Sequence, residues 1–136
     1  MSTKNLWGQM PQAEKVRSPL AILRQQASLL GQTTRGLLEG IVTRQRAFDP
    51  GRDFSATLSI VAPSLDSYEV QVVEIKYPLA CYPLEVSWSE GDTKASDESE
   101  FVSVLGQVLS SKRTKTIIGR LLTQIHAELD SSPNPE

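Results

Sequence analysis

Phe54-Ser55-Ala56-Thr57-Leu58-Ser59-Ile60-Val61-Ala62 is the stretch around which the fold can be built. Phe54, Ala56, Leu58, Ile60 and Ala62 alternate with Ser55, Thr57, Ser59 and Val61. Successive side chains of a strand point to opposite faces, so this spacing predicts a strand with one face buried and the other more polar. Just upstream, Phe48-Asp49-Pro50-Gly51 combines three residue types that each suit a turn, and before it Leu38 to Gln45 is a candidate strand centred on Ile41 and Val42. Downstream, Pro63 to Ser67 is the next turn and Tyr68 to Tyr77 the third strand. Its apolar set changes parity, from Tyr68, Val70 and Val72 to Val73, Ile75 and Tyr77, as a bulge or burial on both faces would require. Pro78 and Pro83 interrupt ladder pairing, and Leu84, Val86 and Trp88 alternate as a short fourth strand. Connections this short force an antiparallel meander, because a parallel return needs about a dozen residues or more.

Helices are expected on either side of the meander. Ser18 is a favoured N-cap and Pro19 suits the first helical position. Leu20, Leu23, Ala27 and Leu30 then share one side, and Ile22 and Leu29 widen the apolar face enough for burial against a sheet. Gly31 or Gly36 ends this helix. Ser89 to Ser96 reads as a polar loop. Asp97 with Glu100 has the capping-box layout, followed by a stripe of Phe101, Val104, Leu105 and Val108. Ser110 to Thr114 breaks the pattern, and Ile118, Leu121, Leu122, Ile125 and Leu129 form the last helix, slightly weakened by Gly119. The fold class is therefore α+β: a helix, a four-stranded antiparallel meander and two C-terminal helices packed on the sheet.

The chain has 136 residues, the length of one ordinary domain. Its apolar fraction, 39%, is lowered by polar ends, so we expect a flexible arm over residues 1–17, a single domain over 18–129 and a disordered tail over 130–136. Fourteen basic residues against sixteen acidic ones leave a net charge of −2, which supplies no global field for nucleic acid or an anionic membrane. The apolar runs are too short to span a bilayer, and the first residues lack a secretion-signal layout. Cys81 is the only cysteine, which excludes an internal disulfide and points to the cytoplasm.

The segment from Val73 to Val86 contains two aromatic-proline pairs, Tyr77-Pro78 and Tyr82-Pro83, between two apolar strands. With the order of elements, this resembles RWD domains and ubiquitin-conjugating enzymes, which carry a Tyr-Pro signature after their third strand. The chain departs from the conjugating enzymes in two ways. Leu84-Glu85 stands where they usually have a further Pro-Pro pair, and no cysteine follows Cys81 to serve as their nucleophile. The resemblance therefore implies a non-catalytic relative.

Few residues suggest chemistry. Cys81 as a nucleophile needs a nearby base in an electropositive setting, and the only histidine, His126, is remote in sequence; a small buried hydrophobe is the simpler role. One Cys and one His do not make a zinc site, and no cofactor is indicated. Glu39, Glu69, Glu74 and Glu85 lie on predicted strands, where solvated outer-face positions suit them. Lys112, Arg113, Lys115 and Arg120 are possible phosphate contacts at the start of the last helix, but no aromatic residue is interleaved for stacking and no phosphate-loop motif occurs. Trp7, with Met10, stands in the polar arm as a candidate anchor for a partner's pocket, against the alternative that the arm folds back on its own domain. Tyr77 and Tyr82 are further candidate partner contacts.

The reading that follows is a non-catalytic interaction module or accessory subunit of a cytoplasmic assembly, with a protein partner that includes the chain itself as a candidate. The alternatives are a small thiol- or carboxylate-dependent enzyme, or a nucleic-acid-associated factor using residues 112–120. No membrane partner and no small-molecule substrate is indicated.

Overall fold

The computed structural model describes residues 4–130. In order they form helix α1 (Pro19–Thr33), strands β1 (Glu39–Asp49) and β2 (Arg52–Ala62), a 3-10 turn (Pro63–Leu65), strands β3 (Tyr68–Tyr77), β4 (Leu84–Trp88) and β5 (Gly91–Ala95), and helices α2 (Glu98–Leu109) and α3 (Lys112–Leu129). The strands pair in sequence order, all antiparallel, as one five-stranded meander. The α+β architecture is the one expected from the alternation in β2 and the caps of the helices.

The strand count differs from the expectation. Residues 91–95, placed in a polar loop from sequence, form β5 on the free side of β4, with Trp88 opposite Gly91 and Leu84 opposite Ala95. Gly-Asp-Thr-Lys carries no apolar alternation, because only Ala95 of this strand is buried. Its ladder is set by β4 rather than by a hydrophobic face. The parity change in β3 is a bulge: Leu58 faces Val73 and Ser59 faces Gln71, leaving Val72 unmatched. Val72 and Val73 are both buried as a result.

One face of the sheet carries the core. Ala56, Leu58, Ile60 and Ala62 of β2 join Val73 and Ile75 of β3, Leu84 and Val86 of β4, and Ile22, Phe101, Leu105, Val108, Leu121 and Ile125 of the three helices. Ser59 and Val61 are also buried, yet they point to the opposite face. Ser59 sits between Ile41 and Gln71, and Val61 between Glu39 and Glu69, so larger neighbours on β1 and β3 shield them.

The helix ends follow from the sequence. Ser18 Oγ accepts the Ala21 amide at 3.1 Å, Asp97 Oδ1 the Glu100 amide at 2.8 Å, and Ser111 Oγ the Thr114 amide at 3.2 Å. Each satisfies an N–H that the helix leaves unpaired. Glu100 reaches back to the Ser96 amide at 3.3 Å, completing a box shifted by one residue. α1 stops at Thr33; Thr34 Oγ1 lies 2.9 Å from Leu30 O and accepts the Leu38 amide at 3.1 Å, which turns the chain into β1. The α2–α3 turn is closed by Thr114, a buried hydroxyl that donates to Val108 O at 2.8 Å. Where the chain returns, α1 lies directly on β1: a Cβ added to Gly40 would stand 2.5 Å from Ala27 Cα and 2.8 Å from Ala27 O.

Candidate functional site

Residues 4–17 are exposed throughout, and three large apolar side chains of the arm are among the exposed ones. Leu6 is 85%, Trp7 82% and Met10 60% exposed. The Trp7 amide donates only locally, to Asn5 Oδ1 at 3.0 Å. The arm is fastened at its root. Arg17 N–H donates to Glu98 Oε1 at 3.2 Å, the Arg17 guanidinium lies 3.8 Å from the same carboxylate, and Tyr82 OH donates to Arg17 O at 3.2 Å.

The two tyrosines have separate roles. Tyr82 is half-buried with its ring centroid 6.5 Å from that of Phe101, and burial, aided by the Glu98 carboxylate, pushes its phenol up to about 12. It stays protonated and so remains a donor to the arm's root. Tyr77 belongs to the core, 5.5 Å from Phe54, and burial raises its phenol as well. At 6% exposure it offers almost no surface to a partner.

A feature that the sequence did not reveal is a groove between α1 and α3. A cavity of about 230 Å³ is walled by Ala27, Leu30, Leu109 and Ile118 and floored by Leu58, Ile60 and Val72, with Gln26, Thr33 and Thr114 supplying its polar atoms. A second hollow, of about 380 Å³, shares Gln26, Leu109 and Ile118 with it and runs along α2 past Val102 and Leu105 to Arg17. Leu29 and Val102, 42% and 44% exposed, mark its apolar edges. The one sequence signal was the unusual breadth of the apolar face of α1. That breadth was assigned wholly to the sheet, whereas Leu29 and part of Leu30 face the groove.

The residues considered for catalysis are not assembled. Cys81 is half-buried in the turn after Pro78, with its amide donating to Pro78 O at 2.9 Å. Burial, with the Glu14 carboxylate adding to it, raises the thiol above its ordinary value. Nucleophilic cysteines are shifted the other way. His126 is exposed on α3 and has no contact with Cys81. We therefore expect native Cys81 to be alkylated at neutral pH several-fold more slowly than the same residue in the unfolded chain; equal or faster reaction would show an activated thiol.

Of the strand carboxylates, Glu39 and Glu69 both face Val61 from opposite sides, two strands apart, or about 10 Å. Glu85 is engaged by Arg52 at 3.3 Å, and Glu74 lies across from Ser87. No two of these four share a proton position. The basic residues also divide. Lys112, Arg113 and Arg120 line one side of α3 with Glu90 and Ile117, while Lys115 faces the α1–α2 side near Arg17. Among the described residues, no cluster of three or more His, Cys, Asp or Glu could hold a metal ion, and no helix is long and apolar enough to cross a membrane.

The fold and this surface define a small α+β meander protein with an apolar groove and a polar arm that exposes Leu6, Trp7 and Met10. No family model matches the chain, and no curated protein or solved structure proved similar to it.

Proposed function

We propose that this chain is a non-catalytic protein-binding module, an accessory subunit of a cytoplasmic assembly, that grips its partner through the arm. One observation carries the reading: Leu6, Trp7 and Met10 stand largely exposed, on an arm whose root is held by Tyr82 and Glu98. Trp is the side chain most often found at the energetic centre of a protein interface, where it fills a desolvated pocket. The scattered Cys81, His126 and strand carboxylates support the non-catalytic part of the reading, and burial shifts the thiol away from the direction an activated nucleophile takes. Kinship with RWD domains, read from the two Tyr-Pro pairs and the order of elements, belongs to the same proposal.

The test is capture from an extract of the native host by the immobilised full-length chain, beside Trp7→Ala and Met10→Ala. Truncating a hot-spot aromatic removes about 2 kcal/mol or more of binding, roughly 30-fold in affinity. A specific protein should therefore be retained by the wild type and lost from Trp7→Ala. Identical capture by both chains would contradict the role of the arm.

A further inference from the structure

We infer that the outer edge of β1 accepts an additional strand from a partner protein, an extended segment whose alternating carboxylates stand opposite Arg44 and Arg46. The inference concerns a different element from the arm and stands without it. β1 is an end strand of the sheet, with β2 as its one strand neighbour. It is eleven residues long, and its pairing with β2 is regular from Glu39 to Arg46. In an antiparallel edge strand every second residue turns its N–H and C=O away from the sheet. No backbone hydrogen bond joins that side of β1 to another described residue. Such a row is a template on which an extended chain can pair. The opposite edge offers less length, since β5 has five residues.

The charges on β1 decide which strand fits. Arg44 and Arg46 lie across from Ala56 and Phe54, on the face of the sheet that carries the core. α1 lies on that face at Gly40, whereas Thr43 to Arg46 are exposed. The Arg44 guanidinium stands 5.6 Å from the centre of the Phe54 ring, and that of Arg46 stands 5.9 Å from the centre of the Phe48 ring. Arg24 of α1 is exposed as well and acts with Arg44 on the Tyr77 phenol. Among the described residues no carboxylate forms an ion pair with any of these three arginines. The carboxylates of the β1–β2 turn are engaged: Asp49 by Lys76 at 2.8 Å, and Asp53 by the Leu79 amide at 2.9 Å. Side chains on one face of a strand are two residues apart, so Asp or Glu at i and i+2 of an added strand sets one carboxylate opposite each arginine. Charges on a free edge turn away apolar strands, and the same charges admit a strand of opposite sign. The arm does not fit this description, with Lys4, Lys15 and Arg17 against Glu14. A second copy's β1 fits no better. Antiparallel pairings centred on residues 44 to 46 set these arginines against themselves or each other, and like charges directly opposite are destabilising.

The experiment is fluorescence anisotropy with the full chain and a labelled decapeptide in which glutamate alternates with threonine, a residue suited to strands. The peptide should bind, less tightly as salt is added, and should slow hydrogen exchange at amides between Ile41 and Arg46. Arg44→Glu should weaken binding about tenfold, because an attractive cross-strand pair becomes a repulsive one. Lys94→Glu, an equal change of charge on the exposed far edge, should leave binding as it is. Far-UV circular dichroism confirms that both variants fold. The same peptide with alternate backbone amides methylated keeps its charge, loses its ladder donors and should not bind. Absence of binding, equal binding of the methylated peptide, or equal loss in the two variants overturns the inference. So does Arg44-dependent binding of a single-stranded oligonucleotide in preference to the peptide, which would make the arginines a phosphate site. Amides of β1 that become protected as the chain alone is concentrated would place a second copy on this edge and overturn it too.

Discussion

Gly40→Ala should destabilise this protein by about 3 kcal/mol, the upper end for overpacking, and lower its melting temperature by about 10 °C. The added Cβ would meet Ala27 at 2.5 Å from Cα, 2.7 Å from Cβ and 2.8 Å from O. Two of these three atoms are backbone, so no side-chain rotation relieves the contact. Either α1 lifts from β1 or the strand shifts in its ladder opposite Ile60. Lifting α1 uncovers Ile22 and Leu23, which are among the most deeply buried side chains of the core. The same substitution at Gly119 should act in the opposite direction. That glycine lies within α3 with nothing within 4 Å of the added carbon, so alanine's better helix propensity should stabilise by up to about 1 kcal/mol. Thermal unfolding of the two variants beside the wild type checks both signs. A neutral Gly40→Ala would mean that α1 and β1 do not approach as closely as described.

Phe101→Ala is the second large effect, expected at about 3–5 kcal/mol. Phe101 is fully buried in the first turn of α2, and its ring lies beside Tyr82. Removing it leaves a cavity under α2 and takes away the surface on which Tyr82 rests. Since Tyr82 holds Arg17 O, the loss should spread to the root of the arm. Val102→Ala, one residue along and 44% exposed, provides the comparison and should change stability by less than about 1 kcal/mol. Denaturant unfolding of both variants separates the two cases. Similar values would place α2 in a different rotation on the sheet.

The parts of this fold that were legible in the sequence are those in which one local rule and one global requirement coincide. The alternation in β2 names the core face because β2 lies inside the sheet, half covered by helices. Ser18 and Asp97 mark helix starts because their side-chain oxygens accept the orphan amides that follow, whereas Ser111 plays the same part inside a stretch that reads from sequence only as a break. The parity change in β3 was visible because the extra residue, Val72, is itself apolar and buried. β5 was hidden for the opposite reason. It lies at the sheet's edge, four of its five residues are exposed, and backbone pairing with β4 holds it without any side-chain pattern.

The candidate site divides along the same line. Trp7 and Met10 could be singled out because an aromatic and a thioether stand alone in a polar stretch. The groove could not, because its lining comes from α1, β2, β3, α2 and α3, residues separated by most of the chain and each indistinguishable from core in its own segment. Leu29 shows the difficulty: on a helical wheel it extends the buried face, and only the placement of α3 decides that it borders a gap. Tyr77 and Tyr82 looked equivalent as two Tyr-Pro pairs, yet Tyr77 ends a core strand and Tyr82 lies in the loop before β4. The strand boundary decides which of them meets Phe54 and which can reach Arg17.

Acrylamide quenching of the Trp7 indole, in a Trp88→Phe background that leaves it the sole emitter, reaches the heart of the matter. In dilute protein the indole should be freely quenched, and in the complex its emission should shift to the blue and resist the quencher. An indole already shielded in the dilute, unbound chain, or one still freely quenched after a partner has bound, would show that docking does not run through Trp7.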